Sequence, residues 1–258
     1  MSRRCVLLSG GVGGAKLAEG MAGLLGEELS VIANTGDDIE HLGLRVCPDI
    51  DTLLYTLSDE VNRDTGWGRR DESWQFLAAL EQLGGESWFR LGDRDLAIHV
   101  LRSDALAAGE SLTAITRGFA ERLGIGAELL PVSNEPVRTF VQTPDGELAF
   151  QDYFVRRRAE PTVAGLEYRG AAEAGITAEV QDALADPGLE AIVIAPSNPW
   201  LSIAPMLAIP SLVTALRAAT APVIAVSPIV AGAAIKGPTA KIMRELGLEV
   251  SAGSVARH

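Results

Sequence analysis

The stretch CVLLSGGVGGAKLAEGMAGLLGEELSVIANTG, residues 5–36, decides the fold. Its first residues form a short apolar run that ends in glycines, which is typical of a strand leading into a tight loop. The next segment, AKLAEGMAGLLG, has apolar residues at helical spacing, and LSVIANTG again resembles a strand. A helix between two strands predicts a crossover connection and a parallel strand pair.

The same alternation returns towards the C-terminus, where residues 189–199 and 221–230 predict two further strands, each followed by a helix. The predicted fold class is therefore α/β, a Rossmann-like and mostly parallel sheet with helices on both faces. We expect residues 1–60 and 165–258 to form this core. Residues 61–164 are predicted to be a helical, loop-rich insertion or cap with a β-hairpin, unless the whole chain forms one integrated domain.

Composition limits the classes of function. The chain has 258 residues, 47% of them hydrophobic, and a formal net charge of −12. Such acidity argues against general electrostatic binding to nucleic acid or anionic membranes, and no run of about 18 apolar residues predicts a membrane span. Cys5 and Cys47 are interpreted as small buried side chains in a reducing compartment. The short apolar run near the N-terminus does not match a signal peptide, so the predicted location is cytoplasmic.

The segment SGGVGGAK, residues 9–16, joins the first strand to the first helix. Gly10, Gly11 and Gly13 allow close approach of backbone to a ligand, the helix start offers free N–H groups, and Lys16 adds a charge. The segment is not a Walker A loop, because Lys16 follows Ala15 and precedes Leu17, and it is not a dinucleotide fingerprint, because Lys16 stands where a glycine is expected. It predicts a phosphate site or, alternatively, only a tight turn between strand and helix.

Four carboxylates, Asp37, Asp38, Asp49 and Asp51, follow the second strand within fifteen positions. So many negative charges repel one another unless a cation lies among them. Carboxylates suit Mg²⁺, which proteins usually share with substrate phosphates. The alternatives are a solvated acidic loop and, for Asp49 and Asp51, simple capping of a helix.

Two further segments place polar residues near the predicted crevice. Ser197 and Asn198 follow a strand and are able to bind a nucleotide or phosphate, although such residues also favour turns. Residues 90–102, RLGDRDLAIHVLR, have mixed charges at helical spacing, which are either surface ion pairs or groups that point into a cleft. His99 within that segment is a candidate acid or base, although its apolar neighbours Ile98 and Val100 favour a structural role.

Taken together, these motifs resemble the 2-phospho-L-lactate transferase family of coenzyme F420 biosynthesis. The resemblance extends collinearly from residue 9 to about residue 252 and rests on SGGVGGAKL, NTGDD, LGLRVCPDIDTLLYTL, GWGRRDESW, LGDRDLA, LPVSNEPVRT, APSNPWLSI and SPIVAGAAIKGP.

The resemblance implies a reaction. A guanosine diphosphate-linked three-carbon acid would donate its phosphoacid moiety to the terminal hydroxyl of the deazaflavin FO, GMP would leave, and Mg²⁺ would assist. The acid is phospholactate, phosphoenolpyruvate or 3-phosphoglycerate, depending on lineage. The partners implied are these small molecules, with a homodimer as the assembly common in the family.

The resemblance also assigns residues. Asp51 and Arg90 match positions that bind FO, and the glycine loop and the Ser197–Asn198 turn match motifs on the nucleotide side. We therefore expect catalytic roles for Asp51 and Asp38 and a metal site of Asp37, Asp38 and Asp49. The predicted substrate-binding residues are Asp51, Arg90, Gly10, Gly11, Gly13, Lys16, Asn34, Ser197 and Asn198. On this interpretation Asp51→Asn should lower turnover and leave the melting temperature almost unchanged.

The chain departs from the family pattern at two places. Many members have a tryptophan and then histidine-glycine after the acidic pair, where this chain has residues 40–43, Glu-His-Leu-Gly. The family usually continues some tens of residues beyond the SAGSVA segment, so a further strand and helix are expected there, and their loss would weaken stability or activity. Two other classes remain open: an enzyme that binds a dinucleotide, with Asp37 on a ribose, and a non-catalytic protein that binds deazaflavin or guanine nucleotide.

Overall fold

The computed structural model describes residues 4–258. The strands are β1 (Arg4–Ser9), β2 (Leu29–Ala33), β3 (Ile39–His41), β4 (Leu44–Val46), β5 (Glu128–Pro131), β6 (Arg138–Thr143), β7 (Gly146–Ala149), β8 (Gly165–Arg169), β9 (Leu189–Ile194), β10 (Val223–Ala225), β11 (Ile229–Val230) and β12 (Ala233–Ala234). The α-helices are α1 (Gly11–Leu25), α2 (Pro48–Leu57), α3 (Gln75–Gln82), α4 (Asp95–Ala107), α5 (Leu112–Arg122), α6 (Ala178–Ala185), α7 (Ala204–Leu207), α8 (Pro210–Ala218), α9 (Thr239–Glu245) and α10 (Ala252–Arg257).

The central sheet has five strands in the order β10-β9-β1-β2-β5, and every neighbouring pair is parallel. Numbered along the chain within this sheet, the order is 3-2-1-4-5 read from the β5 edge, which is the strand order of the Rossmann fold. The predicted α/β class is confirmed. The strand order reverses between β1 and β9, and ligands in such sheets bind beyond the carboxyl ends of the strands at that point.

Helices cover both faces of the sheet because its strands are apolar on both sides. Leu7 of β1 lies in a buried cluster with residues of α1, α2 and α5, whereas its neighbours Val6 and Leu8 lie in a second cluster with residues of α6 and α8. Alternate residues of a strand point to opposite faces, so the run Val6–Leu7–Leu8 contributes to both clusters. This two-sided burial fixes β1 at the centre of the molecule.

Strand β5 requires a correction to the predicted boundaries. It lies within residues 61–164, the segment assigned to an insertion, yet it pairs with β2 along residues 30–33. Residues 61–164 therefore do not form one continuous insertion, because the chain adds β5 to the central sheet and then leaves the sheet again. The segment ELLP is too short for a local pattern to reveal this pairing, which joins residues about 100 positions apart.

Outside the central sheet, β6 pairs antiparallel with both β7 and β8. The strand expected over residues 221–230 is shorter than predicted: β10 ends at Ala225, and Ile229–Val230 pairs instead with β12. Within residues 4–258 no single helix is long and apolar enough to cross a membrane. The helical segments Pro199–Leu207 and Pro210–Ala218 would qualify together by length and composition, but they are bent by 82° and contribute Met206 and Leu212 to the core.

Candidate functional site

The glycine loop after β1 and the turn after β9 meet at the carboxyl end of the sheet, where the strand order reverses. The two segments are joined by Ser197, whose Oγ donates to the Gly10 carbonyl at 2.6 Å and accepts from the Gly10 N–H at 3.2 Å. Ser197 is buried. Its hydroxyl therefore fixes the loop, and residues far apart in the sequence build one crevice.

The glycines of this loop are required by crowding from the protein itself. A Cβ at Gly10 would lie 2.6 Å from Asp49 Oδ2, and a Cβ at Gly13 would lie 2.8 Å from the Pro196 carbonyl oxygen. Gly11 has a φ of +64°, a left-handed conformation that favours glycine. The interpretation of the loop as a tight turn therefore accounts for its glycines, whether or not a phosphate approaches it.

The N-terminus of α1 nevertheless keeps the chemistry of an anion site. The first-turn N–H groups of a helix have no intrahelical acceptor, and α1 has no acidic residue in its first turn and no side-chain cap at Gly10. Asp49 accepts from one of these groups, the Gly11 N–H, at 2.5 Å. Lys16 lies one turn further along and is exposed.

Asp49 is held in place by Asn34. The Asn34 amide donates to Asp49 Oδ2 at 2.9 Å, and its own oxygen accepts from the Gly36 N–H at 2.9 Å. Asp49 lies in the first turn of α2, which begins with Pro48. Asn34, predicted to bind substrate, is fully buried and instead orients this carboxylate towards the glycine loop.

Asp37 and Asp49 form a buried carboxyl pair. Burial, and then the neighbouring charge of Asp49, holds the pKa of Asp37 well above its usual range. Burial likewise raises the pKa of Asp49, although the hydrogen bonds from Asn34 and Gly11 oppose the shift. Asp37 Oδ1 is buried without a hydrogen-bond partner. Such a pair is stabilised by a cation, so its donor set fits Mg²⁺, which takes one or two protein carboxylates together with substrate phosphates.

Asp38 points away from this pair. Its Oδ2 accepts from the Cys47 thiol at 3.2 Å, and it lines a different cavity together with Arg138. Burial raises the pKa of Asp38 to about 6, with Arg138 opposing the shift. Within residues 4–258 no three histidine, cysteine or acidic side chains are close enough to hold a metal ion. The predicted ligand set of Asp37, Asp38 and Asp49 is therefore not assembled, because Asp38 is engaged by Cys47 and lines the cavity beside Arg138.

Asp51 is bound to Arg102, a partner that the sequence analysis did not assign. Asp51 Oδ2 accepts from Arg102 Nη1 at 3.1 Å, and Oδ1 forms a second ion pair with Nη2. The Arg102 side chain is fully buried. Although burial opposes its charged form, the Asp51 carboxylate raises the pKa of the Arg102 guanidinium. Both oxygens of Asp51 are thus engaged within the protein.

The ion pair extends into a network along α4. His99 Nδ1 lies 3.6 Å from Asp51 Oδ2, and His99 Nε2 lies 3.2 Å from Asp95 Oδ1, which also accepts from the Tyr55 hydroxyl. Asp95, His99 and Arg102 are spaced by four and three residues, so they share one face of the helix. The four- and three-residue spacing of these side chains is visible in the sequence of residues 90–102, and the network could have been predicted from it.

The remaining predicted substrate residues lie at the surface or in turns. Arg90 is exposed between α3 and α4, where its guanidinium stacks 4.3 Å above the Trp74 ring. Asn198 Oδ1 accepts from the N–H groups of Trp200 and Leu201 and caps the turn Pro199–Ile203. The structure thus groups Gly10, Gly11, Asn34, Asp37, Asp49 and Ser197, and in the described residues no hydrogen bond or ion pair joins Arg90 or Lys16 to them.

Comparison with known proteins identifies relatives over almost the whole chain. The family model described as 2-phospho-L-lactate transferase CofD matches residues 5–256. A phosphoenolpyruvate transferase of Kitasatospora aureofaciens is 41% identical over 260 residues, which cover 98% of this chain and 80% of the relative. A 2-phospho-L-lactate transferase of Methanosarcina acetivorans is 39% identical over 254 residues, covering 98% of this chain and 81% of the relative.

Solved structures agree on the fold. A crystal structure of a UPF0052-family protein from Bacillus halodurans superposes with a TM-score of 0.60 at 19% identity and covers 86% of this chain and 67% of that one. At this level of identity the likeness bears on the fold alone.

Proposed function

The chain belongs to the 2-phospho-L-lactate transferase CofD family and is a transferase of phospho-acid groups in coenzyme F420 biosynthesis, and from that premise we propose its substrates and the roles of its residues. The donor is a three-carbon acid linked to guanosine diphosphate. The acceptor is the terminal hydroxyl of the deazaflavin FO, and GMP is the product that leaves.

The observation that carries this proposal is the contact between the glycine loop and Asp49 at the point where the strand order reverses. The contact brings the free N–H groups of a helix N-terminus next to the buried Asp37–Asp49 pair. An anion site beside paired carboxylates suits a diphosphate that arrives with a divalent cation. Lys16, one turn further along α1 and exposed, adds positive charge for a flexible phosphate group.

In the proposed mechanism, Asp37 and Asp49 would hold Mg²⁺, whose charge would offset the negative charge of the diphosphate. The first-turn N–H groups of α1 bind phosphate oxygens, and Ser197 and Asn34 keep the loop and Asp49 in position. The rate enhancement then comes mainly from orientation and charge stabilisation.

Asp38 is proposed as the group that takes the proton from the FO hydroxyl. Its Oδ1 is buried without a partner, and its pKa of about 6 lies close to neutral, as suits a general base. Asp51 was also predicted to be catalytic, but its two oxygens are engaged by Arg102. We therefore propose that Asp51 positions α2 and that the FO ring is bound nearer to Arg90.

The proposed reaction does not specify which of the three three-carbon acids the donor carries. Relatives of comparable identity are named phosphoenolpyruvate transferase and 2-phospho-L-lactate transferase. Incubation of the purified protein with Mg²⁺, FO and each of the three guanosine diphosphate-linked donors would decide it. Mass spectrometry distinguishes the three FO adducts, and chromatography measures the GMP released.

Asp49→Asn is the informative variant for this assay, and Asp182→Asn is its matched control, because Asp182 is an exposed aspartate on α6. We expect GMP release with at least one donor, loss of it in Asp49→Asn, and full retention in Asp182→Asn. Absence of GMP with all three donors would overturn the proposed reaction. Tight binding of FO or GDP without GMP would instead favour the non-catalytic binding protein.

A homodimer and a cytoplasmic location are further proposals, and both rest on the resemblance to the family. Sedimentation velocity of the purified protein tests the first. Fractionation of cells that produce the protein tests the second.

A further inference from the structure

A second crevice lies beside the one described above, between the carboxyl ends of β2 and β5. Its volume is about 60 Å³. By the room that one buried water needs, this space holds roughly four waters or one carboxylate group. The residues that line it are Thr35, Asp38, Arg45, Leu106, Leu112, Ser133, Asn134, Glu135, Pro136 and Arg138.

Two arginines in this crevice have no ion-pair partner. Within the described residues, no carboxylate lies within 4.0 Å of the guanidinium of Arg45 or of Arg138. Arg138 donates only to backbone carbonyls, that of Val137 at 2.7 Å and that of Thr35 at 3.5 Å. Burial lowers the pKa of Arg138; the charge of Asp38, which lines the same cavity, opposes this effect, and the charge of Arg45 adds to it. By contrast, the buried Arg102 has Asp51 as its partner.

The crevice also contains an uncharged hydrogen-bond donor that has no acceptor. Thr35 is 1% exposed, yet its hydroxyl, which lines the cavity, has no hydrogen-bond partner. A buried hydroxyl without a partner is unfavourable, so a ligand oxygen at this position would be stabilised. Glu135 also lines the crevice, but its carboxylate accepts from Ser133 and from the Gly175 N–H and forms no ion pair with either arginine among the described residues.

The crevice is close to the proposed diphosphate site. Asp38, at one end of the cavity, directly follows Asp37, whose partner Asp49 binds the glycine loop. The loop follows β1, and the crevice lies between β2 and β5, which are the next strands of the sheet. Neighbouring strands are roughly 5 Å apart, so the two sites are separated by about one to two strand spacings. An acid attached to the terminal phosphate of GDP spans such a distance.

We propose that this crevice binds the carboxylate of the transferred three-carbon acid, with Arg45 and Arg138 as its cationic ligands and Thr35 as a hydrogen-bond donor. This inference rests on the proposed function. It assigns recognition of the acid to residues that lie in the quoted motifs but received no role from the sequence. Arginine is suited to the task because its planar fork matches a carboxylate.

The test compares two nucleotides that differ only in the carboxylate: lactate-linked GDP and its isopropyl analogue, in which a methyl group replaces the carboxylate. Calorimetry gives the affinity of each for the wild-type protein and for Arg138→Ala, Arg45→Ala and Arg138→Lys. Arg217→Ala, which removes an exposed arginine on α8, is the control. Circular dichroism confirms that each variant is folded.

We expect the wild type to bind the carboxylate-bearing donor about 10- to 100-fold more tightly than the isopropyl analogue, as a charge-assisted hydrogen-bonded pair allows. Arg138→Ala should abolish most of this preference while the affinity for the analogue stays the same, and Arg138→Lys should restore part of it. Arg217→Ala should keep the full preference. A preference that survives in both Arg138→Ala and Arg45→Ala overturns the inference and leaves the proposed function standing.

Two further outcomes separate the remaining possibilities. If the wild type binds neither nucleotide, the proposed function fails and the inference with it. Titration with free L-lactate distinguishes the donor acid from an independent small acid. Competition between lactate and lactate-linked GDP supports the donor subsite, whereas unchanged lactate affinity at saturating donor shows a separate site for a free acid and overturns the assignment.

Discussion

Asp49 and Asp51 stand two residues apart at the start of α2, and they are buried to almost the same extent, at 5% and 4% exposure. Their surroundings are opposite. Asp49 faces a second carboxyl, Asp37, beside the glycine loop, whereas Asp51 faces the guanidinium of Arg102. The first arrangement leaves negative charge for a ligand to neutralise, and the second neutralises it within the protein. Burial alone therefore does not distinguish a binding carboxylate from a structural one, while the partner does.

The largest expected effect is a loss of stability in Asp51→Asn, which tests whether Asp51 has a structural role. Asp51→Asn removes the only carboxylate within 4.0 Å of the buried Arg102 in the described residues. Leaving a buried charge without its partner costs about 3–5 kcal/mol of stability. Urea unfolding should show this loss, contrary to the expectation from sequence alone that Asp51→Asn would spare the melting temperature. An unchanged unfolding midpoint would mean that Asp51 is not a structural ion pair.

The matched substitution in the Asp37–Asp49 pair is Asp49→Asn. Asparagine keeps the size of the side chain and one acceptor for Gly11 while it removes the charge from the Asp37–Asp49 pair. We expect turnover to fall by roughly 10²-fold or more and stability to fall by only about 1–2 kcal/mol, the cost of leaving the buried Asn34 amide or the Gly11 N–H without its acceptor. Steady-state kinetics and urea unfolding of the same preparation measure both quantities. A stability loss as large as that of Asp51→Asn would remove the contrast between the two sides.

The pH dependence of stability sharpens the comparison further. Because the folded-state pKa of the Asp37–Asp49 pair is raised, the folded protein binds protons more tightly there than the unfolded chain does. The contribution of the pair to stability is therefore fully present below the ordinary aspartate pKa of about 4 and is lost as pH rises through the raised value.

Without Mg²⁺, the wild type should lose on the order of 1–2 kcal/mol relative to Asp49→Asn between pH 4.5 and pH 7.5. Unfolding free energies of both proteins at the two pH values measure this difference, and the variant subtracts the titration of all other groups. Mg²⁺ should restore stability to the wild type at pH 7.5 and have little effect at pH 4.5, where protons compete. Equal pH profiles for the two proteins would show that the pair carries no unbalanced charge.

The smallest expected effect concerns Arg90, which lies outside both buried groups. Its guanidinium stacks on Trp74 at the surface. A guanidinium stacked on the FO ring at an exposed site would contribute about 1 kcal/mol, so Arg90→Ala should raise the Michaelis constant for FO several-fold. The constant for the donor should stay nearly the same, and Arg90→Lys should recover part of the loss. The reverse pattern, with the donor weakened and FO unaffected, would place Arg90 on the phosphate side.

The sequence was sufficient for the fold and for part of the site because both depend on local patterns. The run from Cys5 to Gly36 predicted β1, α1 and β2, and the polar residues after those strands predicted where a ligand would bind. The roles of Asp49 and Asp51 were not predictable in the same way, since Arg102 lies 51 residues from Asp51 in the chain. One local rule was nevertheless available: residues two apart on a helix do not face the same point.

Glycines showed a second limit. The sequence pattern predicted that a ligand approaches the backbone at Gly10 and Gly13. In the structure, a Cβ at Gly10 would clash with Asp49 and Ser202, and a Cβ at Gly13 would clash with the Pro196 carbonyl. A glycine that admits a phosphate and a glycine that admits a neighbouring segment look identical in sequence. Only the position of the turn after β9, set by pairing of β9 with β1, distinguishes them.

The bond between Gly10 and Ser197 spans 187 positions of the chain, and this separation has a consequence for biosynthesis. The glycine loop is among the first segments to leave the ribosome, but β1 remains an edge strand until β9 has been translated. At typical elongation rates of about 5–20 residues per second, the interval is roughly 10–40 s. Throughout that time the nascent chain exposes the unpaired backbone edge of an apolar strand, and the crevice between the glycine loop and the turn after β9 is not assembled. Substitutions near Ser197, in the part of the chain that is translated late, should therefore reduce the yield of folded enzyme during translation more than they reduce its equilibrium stability.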